Sequence, residues 1–585
     1  MGDQVIYSTE PEDFSYMDIN VPCQAACPAC TNIPAYIRRL FEGRYDRSYE
    51  INRMANIFPG VLGRICSRPC EDRCRHGEPE LGRPVNICHI KRAAADFRGQ
   101  RSVSGKRPLE ALGKKVAVIG AGPAGLSAGH DLSTVGISVT ILEALEEPGG
   151  MLQYGIPEFR LPRLILKKEI DDILATGVSL KTGVRVGVDV SVEELLADYD
   201  AVLVTAGCYR SNPLRIPGES LSGVYSGLEF MMDVCSGKSP NLAGRVLVIG
   251  AGFTAFDCAR SSLRLGAEEV TICLRRTEED LAVTRDEVLE TKKEGVRING
   301  LLFSRRILGT SGVEGVEFVR TRPGQRRPDN RREVTPIEGS EFVVAADVVI
   351  NATGQRPLPI PCEGDKDDRG ILRADRDSFR TSVRGLYVAG DYLTGPSTVI
   401  QAIAMGRRAA ERILEDVTGK VFRDKAVRME DTVITDREHI WDFLPRQEMP
   451  TVQPVADRFT TLNREVETGY TEALAAEESR RCYLCYLHYE IDMDRCIYCR
   501  YCIDVAPRDC IKLVRDIQLN QAGAITGFVE TRSWQDVHGI VIDNSRCIRC
   551  GACVRVCPVD CISVTRVELV ERNVGGTKDL PAMAG

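Results

Sequence analysis

The sequence holds no apolar run of membrane-spanning length, and a spanning helix needs about 20 such residues in succession. It holds no excess of basic residues. The formal net charge is −7, which argues against nucleic acid as a main partner, since such binding runs on a positive surface. The one dense basic run, Arg326-Arg327 to Arg331-Arg332, reads as a solvated hairpin tip. The first residues, Met1 to Asn20, are acidic and lack the charged-then-apolar pattern of a secretion signal. The expected location is therefore the cytoplasm, with no membrane partner.

Cysteine and glycine are what the chain has in quantity. Its 585 residues predict several domains. A hydrophobic content of 43% with 27% charged residues is enough for ordinary cores. The 23 cysteines fall mostly in tight clusters towards the two ends. In a cytosolic protein this pattern predicts metal binding rather than a disulfide framework.

Between those ends, Lys115 to Glu143 reads as strand, glycine turn, helix, strand and acid. The turn is Gly120-Ala121-Gly122-Pro123-Ala124-Gly125. Gly120 allows the tight turn, Gly122 lets the backbone approach a pyrophosphate, and Gly125 lets helix and strand pack closely. The helix N-terminus offers free N–H groups to phosphates, and Glu143 can accept from ribose hydroxyls. A second fingerprint follows the strand Val246 to Ile249, as Gly250-Ala251-Gly252-Phe253-Thr254-Ala255. Alanine in the third place is tolerated. The next strand, Glu269 to Leu274, ends in Arg275-Arg276 where an acid would favour a free 2′-hydroxyl. Arginine there accommodates a 2′-phosphate, so the expectation is NADP (or NAD), with two solvated arginines as the plain alternative. The segments Asp200–Gly207 and Asn351–Gly354 read as buried strands ending in small-residue turns. Gly390-Asp391, followed by a helix near Ser397, again points N–H groups at a ligand.

Seven cysteines stand near the N-terminus: Cys23, Cys27, Cys30, Cys66, Cys70, Cys74 and Cys88. Helices are expected over Ile33–Phe41 and Tyr45–Met54. The spacing of Cys66, Cys70 and Cys74 matches no common zinc pattern, and thiolates suit iron–sulfur clusters equally well. At the far end stand Cys496-x2-Cys499-x2-Cys502 and Cys547-x2-Cys550-x2-Cys553-x3-Cys557-Pro558. The second is the full bacterial ferredoxin run, whose fourth cysteine serves the other cluster. The first run has Ala506 where its fourth cysteine belongs. That leaves either a three-iron cluster or a substitute, and Cys510 is the nominated substitute, with Cys561 left spare. The long interval Ile511–Arg546 predicts an extra hairpin. Cys482-x2-Cys485 reads as a ligand pair or as a redox dithiol. Pro445, Pro450 and Pro454 suggest an extended linker. Cys208, Cys235, Cys258, Cys273 and Cys362 read as plain core residues.

The run Gly149-Gly150-Met151-Leu152-Gln153-Tyr154-Gly155-Ile156-Pro157-Glu158-Phe159-Arg160-Leu161-Pro162 resembles the signature of the glutamate synthase small subunit. The same family includes the large subunit of NADH-dependent ferredoxin:NADP oxidoreductase and the N-terminal half of dihydropyrimidine dehydrogenase. The resemblance covers roughly residues 20 to 415. It implies an α/β chain with two dinucleotide-binding Rossmann-type domains, an N-terminal α-helical Fe–S domain and a C-terminal α+β ferredoxin-like domain. The expected bounds are 1–109 for the helical domain, 110–215 and 341–420 for a split FAD domain, 216–340 for the NAD(P) domain, 421–480 for a linker and 481–585 for the ferredoxin-like domain. By the same resemblance Gly120, Gly122, Pro123, Ala124, Gly125, Glu143, Gly150, Met151, Gly390, Asp391, Thr398, Gln401 and Ala402 would bind FAD. Gly250, Gly252, Thr254, Arg275 and Arg276 would bind the nicotinamide cofactor. Phe253 departs from the family's usual asparagine.

The resemblance also orders the N-terminal cysteines. Relatives hold two clusters there, fed by a Cys-x2-Cys upstream of the Cys23 position, and this chain has no cysteine before Cys23. Cys482 and Cys485 look like that motif moved to the far end. The expected sets are Cys23, Cys74, Cys482 and Cys485, then Cys27, Cys66, Cys70 and Cys88 with Cys30 as the alternative to Cys88. The metal ligands of the C-terminal pair are expected to be Cys496, Cys499, Cys502 and Cys557, then Cys510, Cys547, Cys550 and Cys553. The expected function is electron transfer between NADPH, FAD, four 4Fe–4S clusters and a protein acceptor such as ferredoxin. The rival is an input or output subunit of a larger complex, with glutamate synthase large subunit, dissimilatory sulfite reductase and 2-oxoacid oxidoreductase as candidate partners. A homodimer stays open. No catalytic acid or base is nominated, because hydride exchange is the cofactors' own chemistry.

Overall fold

The computed structural model describes residues 15–78, 82–99, 111–240, 242–327, 332–421, 423–432, 454–519 and 525–573. Two parallel five-stranded sheets form its centre. The first places Lys115–Ile119 between Ser138–Leu142 and Ala201–Val204, with Leu386–Val388 on the far side of the last. These strands are apolar along their length, because a parallel sheet covered by helices is buried on both faces. The second sheet repeats the plan. Arg245–Ile249 lies between Val348–Asn351 and Glu269–Cys273. The antiparallel strands Leu302–Leu308, Gly315–Arg326, Arg332–Pro336 and Phe342–Ala345 sit beside it.

Glycine sets how closely the first sheet's helices approach. The helix Pro123–Thr134 packs on Val399–Thr418. A Cβ on Gly406 would stand 2.1 Å from the Ala124 carbonyl oxygen, so only glycine fits that crossing.

The N-terminal region is helical, with Ile33–Phe41 and Tyr45–Ala55 among its helices. Its helix Pro59–Ile65 docks on the first sheet's helix Arg163–Leu174. The Glu169 carboxylate there accepts from Gly60 N at 2.7 Å, Val61 N at 3.0 Å and Tyr49 Oη at 3.0 Å. This caps the docked helix with an acid, which favours its positive end.

The stretch expected as linker carries structure. Arg423–Asp431 forms a strand paired along its length with Ile562–Asn573, and Glu472–Arg480 forms a helix. No local motif reports that strand, because its partner among the described residues, Ile562–Asn573, lies far along the chain. Pro445 and Pro450 lie outside the described residues. The interval after Cys510 forms the expected hairpin, Ile511–Leu519 with Ile525–Glu530, and adds Gly539–Ile542. The strands flanking the basic run pair as hairpin arms, but not merely solvated ones. Arg326 and Arg332 both pair with Asp280, at 2.9 Å and 3.2 Å. Arg331 lies outside the described residues.

The C-terminal region is joined to the N-terminal one by a shared core. Ile37, Leu40, Leu487, Ile511 and Ile540 belong to one buried apolar cluster. The second sheet keeps its own core, around Phe230, Phe256 and Val248.

Candidate functional site

Both glycine turns have the shape of a phosphate cradle. Gly120 has φ 104°, in the region where glycine alone is comfortable. A Cβ on Gly125 would meet the Gly120 carbonyl oxygen at 2.0 Å and Thr205 Oγ1 at 2.7 Å, so the helix start lies flat on the strand. Above Gly122 the space is open, with nothing within 4 Å of an added Cβ. The same holds for Gly252 in the second turn. The Gly149-Gly150 pair packs against this turn, where a Gly150 Cβ would meet Gly122 Cα at 2.9 Å. Gly149 N donates to the Ala121 carbonyl at 2.8 Å. Met151 opens the short helix behind it.

Buried Glu143 closes the first site. Its carboxylate accepts from Ala121 N at 2.7 Å and Leu145 N at 2.9 Å. Asp391 follows Gly390, whose added Cβ would meet the Ala124 Cβ at 2.9 Å. Burial pushes its carboxyl up, against a hydrogen bond from Ser397 Oγ at 2.5 Å. Thr398 caps the long helix, with Gln401 returning the bond and Ala402 buried behind. Open space over a glycine turn, a bare helix N-terminus and a buried acid fit a dinucleotide.

At the second site, Thr254 lies in the first turn of the helix Phe253–Arg264. Arg275 is exposed and Arg276 half-buried. Arg276 Nε donates to the Arg332 carbonyl at 2.6 Å, so the returning hairpin holds it in place. Arg332 thus holds Arg276 through its carbonyl and pairs with Asp280, which Arg326 also reaches, a contribution absent from the local motif. Arg160 of the Gly-rich signature run reaches across to Asp257 at 2.7 Å and ties the two sheets' domains together.

The clustered thiols fall into four groups, the last of them with a fifth thiol, Cys561. In the first, Cys88 hydrogen-bonds with both Cys66 and Cys70, and Cys27 lies beside them. Burial pushes the Lys91 ammonium down, but the thiols of Cys88, Cys66, Cys70 and Cys27 outweigh it and hold it above the ordinary range. Cys30, the alternative to Cys88, is exposed, and its N–H donates to the Cys27 carbonyl at 2.7 Å. In the second group, Cys23, Cys74, Cys482 and Cys485 line one void together with Ile37 and Val85. Burial pushes the Cys74 thiol up to about 12, with Cys482 and Cys485 adding to it. The helix before Cys482 is anchored on the N-terminal region, where Arg481 donates to Glu478 at 2.7 Å and Arg83 O at 2.6 Å.

In the third group, Cys510 meets Cys547, with Cys553 and Cys550 nearby. The hydrogen bond they share pushes Cys510 up and, with Arg549 assisting, pulls Cys547 down to about 6. In the fourth, Cys496, Cys499, Cys502 and Cys557 line a second void, and Cys561, expected to be spare, lines it too, 3.4 Å from Cys557. Among the described residues no three such side chains converge on a single metal ion. Four thiols spread around a void suit a multi-iron cluster better than one tetrahedral ion. Metal binding would displace whatever protons these thiols hold.

The groups also adjoin one another in succession. The first begins at Cys66, at the end of the helix docked on Glu169. Tyr36 lies between the first and second, close to Cys70, Cys88, Cys23 and Cys27. Arg549 and Arg75 lie between the second and third. Cys553 and Cys502 bring the third and fourth together.

Comparison with known proteins agrees in outline. The family model described as pyridine nucleotide-disulphide oxidoreductase matches residues 114–406. Those for dihydropyrimidine dehydrogenase domain II with its 4Fe–4S cluster and for a 4Fe–4S dicluster domain match 18–103 and 495–561. The NADP(+)-dependent formate dehydrogenase subunit beta of Moorella thermoacetica is 36% identical over 80% of this chain and 71% of that protein. The NADPH-Fe(3+) oxidoreductase subunit beta of Geobacter sulfurreducens is 35% identical over 80% of this chain and 75% of that one. The glutamate synthase small chain of Azospirillum brasilense is 34% identical over 70% of this chain and 89% of its own.

Proposed function

The chain belongs to the pyridine nucleotide-disulphide oxidoreductase family, among the NADPH-dependent iron–sulfur flavoproteins related to glutamate synthase small chains, and we propose that it is the electron-transfer subunit of a larger assembly. Its FAD, NADP and 4Fe–4S chemistry follows from that membership. When bound, FAD would exchange a hydride with nicotinamide and single electrons with the clusters. No described helix is long and apolar enough to cross a membrane.

The observation that carries the reading is that the four thiol groups adjoin one another in succession, the first at the end of the helix docked on the first sheet's domain. In this reading Gly120, Gly122, Gly125, Gly150 and the helix starts at Pro123 and Val399 bind and orient FAD. Glu143 and Asp391 fix its polar parts. Gly250, Gly252 and Thr254 cradle the pyrophosphate of NADPH, and Arg275 and Arg276 take the 2′-phosphate. The four thiol groups each hold one 4Fe–4S cluster, with Cys88 and Cys510 completing the first and third. The domain bounds expected from the sequence go with this reading, with strand Arg423–Asp431 reassigned to the ferredoxin-like part.

The acceptor is a protein. The relatives bear names of subunits, formate dehydrogenase beta and glutamate synthase small chain among them, which favours a partner enzyme over free ferredoxin. NADPH-driven reduction of a viologen dye by the purified chain, followed by co-purification from native extract, tests both parts. Absence of dye reduction in fully loaded protein overturns the first; a chain that co-purifies alone and reduces ferredoxin overturns the second. Cys510→Ala tests the ligand set. We expect iron content to fall and one set of EPR signals to change to a three-iron type or vanish. Unchanged iron and signals would remove Cys510 from the set.

A further inference from the structure

The two C-terminal cysteine runs repeat one another in their backbone. Each is entered through an aspartate, Asp492 before Cys496 and Asp543 before Cys547. The N–H of each cysteine donates back to that aspartate's carbonyl, at 3.0 Å and 2.9 Å. Each run leaves through the same pattern, Pro507-Arg508-Asp509-Cys510-Ile511 in the first and Pro558-Val559-Asp560-Cys561-Ile562 in the second. Asp509 and Asp560 both have positive φ, 27° and 48°. The exits then cross. Asp543 N–H donates to the Cys510 carbonyl at 2.7 Å, and Asp492 N–H to the Cys561 carbonyl at 2.8 Å. The residue after each of these cysteines pairs with the residue before the other run's aspartate, Ile511 with Ile542 and Ile562 with Ile491.

The thiols follow the backbone. Cys510 hydrogen-bonds with Cys547, the first thiol of the second run. Cys561 hydrogen-bonds with Cys496, the first thiol of the first run, and with Cys557. Both are buried. Cys561 thus occupies in the fourth group the place that Cys510 occupies in the third. The repeats differ at Ala506, where the second run has Cys557. The third group therefore has the substitute alone, and the fourth has both the crossing ligand and its substitute. A 4Fe–4S cluster takes only four thiolates, and five thiols line the fourth void.

We propose that Cys561 is a reserve ligand of the fourth cluster, able to take the iron that Cys557 holds. This rests on the ligand sets proposed above, Cys510 included. The two sulfurs are 3.4 Å apart on one void, a separation that a change of side-chain rotamer spans. The exchange balances without a change of oxidation state. The bond from iron to the Cys557 sulfur breaks, the bond to Cys561 forms, and the proton that Cys561 gives up passes to Cys557. A reserve suits the end of the succession, where Cys496, Cys499 and Cys557 are only half-buried. Damage to the Cys557 sulfur there would not cost the cluster.

The test is iron analysis and EPR of the loaded full-length protein. Cys557→Ala should keep its full iron, with one set of signals shifted but still of the four-iron type. Cys561→Ala should also keep full iron. Cys557→Ala combined with Cys561→Ala should lose iron, and that set should change to a three-iron type or vanish. A Cys557→Ala chain that already loses iron, or a double variant that matches Cys557→Ala in iron and signals, would overturn the reserve. If Cys557→Ala fails to fold, the first run carries the test. Adding Ala506→Cys to Cys510→Ala should then restore the third cluster's iron and signals, and a failure to restore them would overturn the exchange of the two places. Unchanged iron in Cys510→Ala alone would instead overturn the ligand set on which the proposal rests.

Discussion

Arg276 shows how one side chain is prepared by distant ones. Its Nε is held by the Arg332 carbonyl, which leaves the outer nitrogens for a phosphate. Losing a charged hydrogen bond costs about 1.5–3 kcal/mol. Arg276→Ala is therefore expected to lower kcat/KM for NADPH roughly tenfold or more while barely changing that for NADH. Steady-state kinetics with both cofactors checks this, and a wild type that already prefers NADH would contradict the assignment. The arginine pair was legible because it ends a strand next to a glycine turn. Asp280, Arg326 and Arg332 were not, since only tertiary folding returns the hairpin to that strand. Lys91 had a weaker signal, a basic residue one helical turn after Cys88, which is a neighbouring position on a helix face.

At the level of elements, the second sheet's domain is held by a buried ion network. Arg260 and Arg264 on the helix Phe253–Arg264 meet Glu294, which closes the helix Arg285–Lys293. Arg458, from the turn Val455–Phe459, reaches the same carboxylate at 3.3 Å. Burial works to raise the Glu294 carboxyl, yet Arg260 and Arg264 hold it down at about 2. Its folded value lies below the ordinary value of about 4.3. The stability it lends is thus complete above that value and lost as pH falls toward 2. Breaking such a buried group on one side costs about 3–5 kcal/mol. Glu294→Gln should be destabilised by that order at pH 7, and the gap to wild type should narrow at pH 3. Urea melts followed by circular dichroism at both pH values measure it; an equal gap at both would refute the assignment. Strands and helices around the two glycine turns were readable from sequence because their period and their turn residues are local. The strand Arg423–Asp431 was hidden, as its partner among the described residues is remote.

For the whole molecule, the decisive feature is that both ends share one core and one void. Spacing alone could group Cys496, Cys499 and Cys502, or Cys66 and Cys70. It could not bring Cys482 to Cys23, which needed either the resemblance or the fold. If these thiols hold one cluster, Cys482→Ala with Cys485→Ala should remove one cluster's iron and one set of EPR signals. The two ferredoxin-like runs should stay loaded. Unchanged iron with a lower thiol titre would restore the dithiol reading of the Cys-x2-Cys pair. The second sheet's domain, with its separate core and its ion-pair links, should be indifferent to that change and keep binding NADP.

The void lined by Cys23, Cys74, Cys482 and Cys485 also sets a timetable for biogenesis. Cys23 and Cys74 leave the ribosome long before Cys482 and Cys485 are made. If the void holds a cluster, iron cannot be sealed into it until those last two thiols have emerged. Closure must wait until the late segment has folded back over the early one. A polypeptide cut short during synthesis would then carry two stranded thiols, buried by nothing, and present itself to quality control as unfinished.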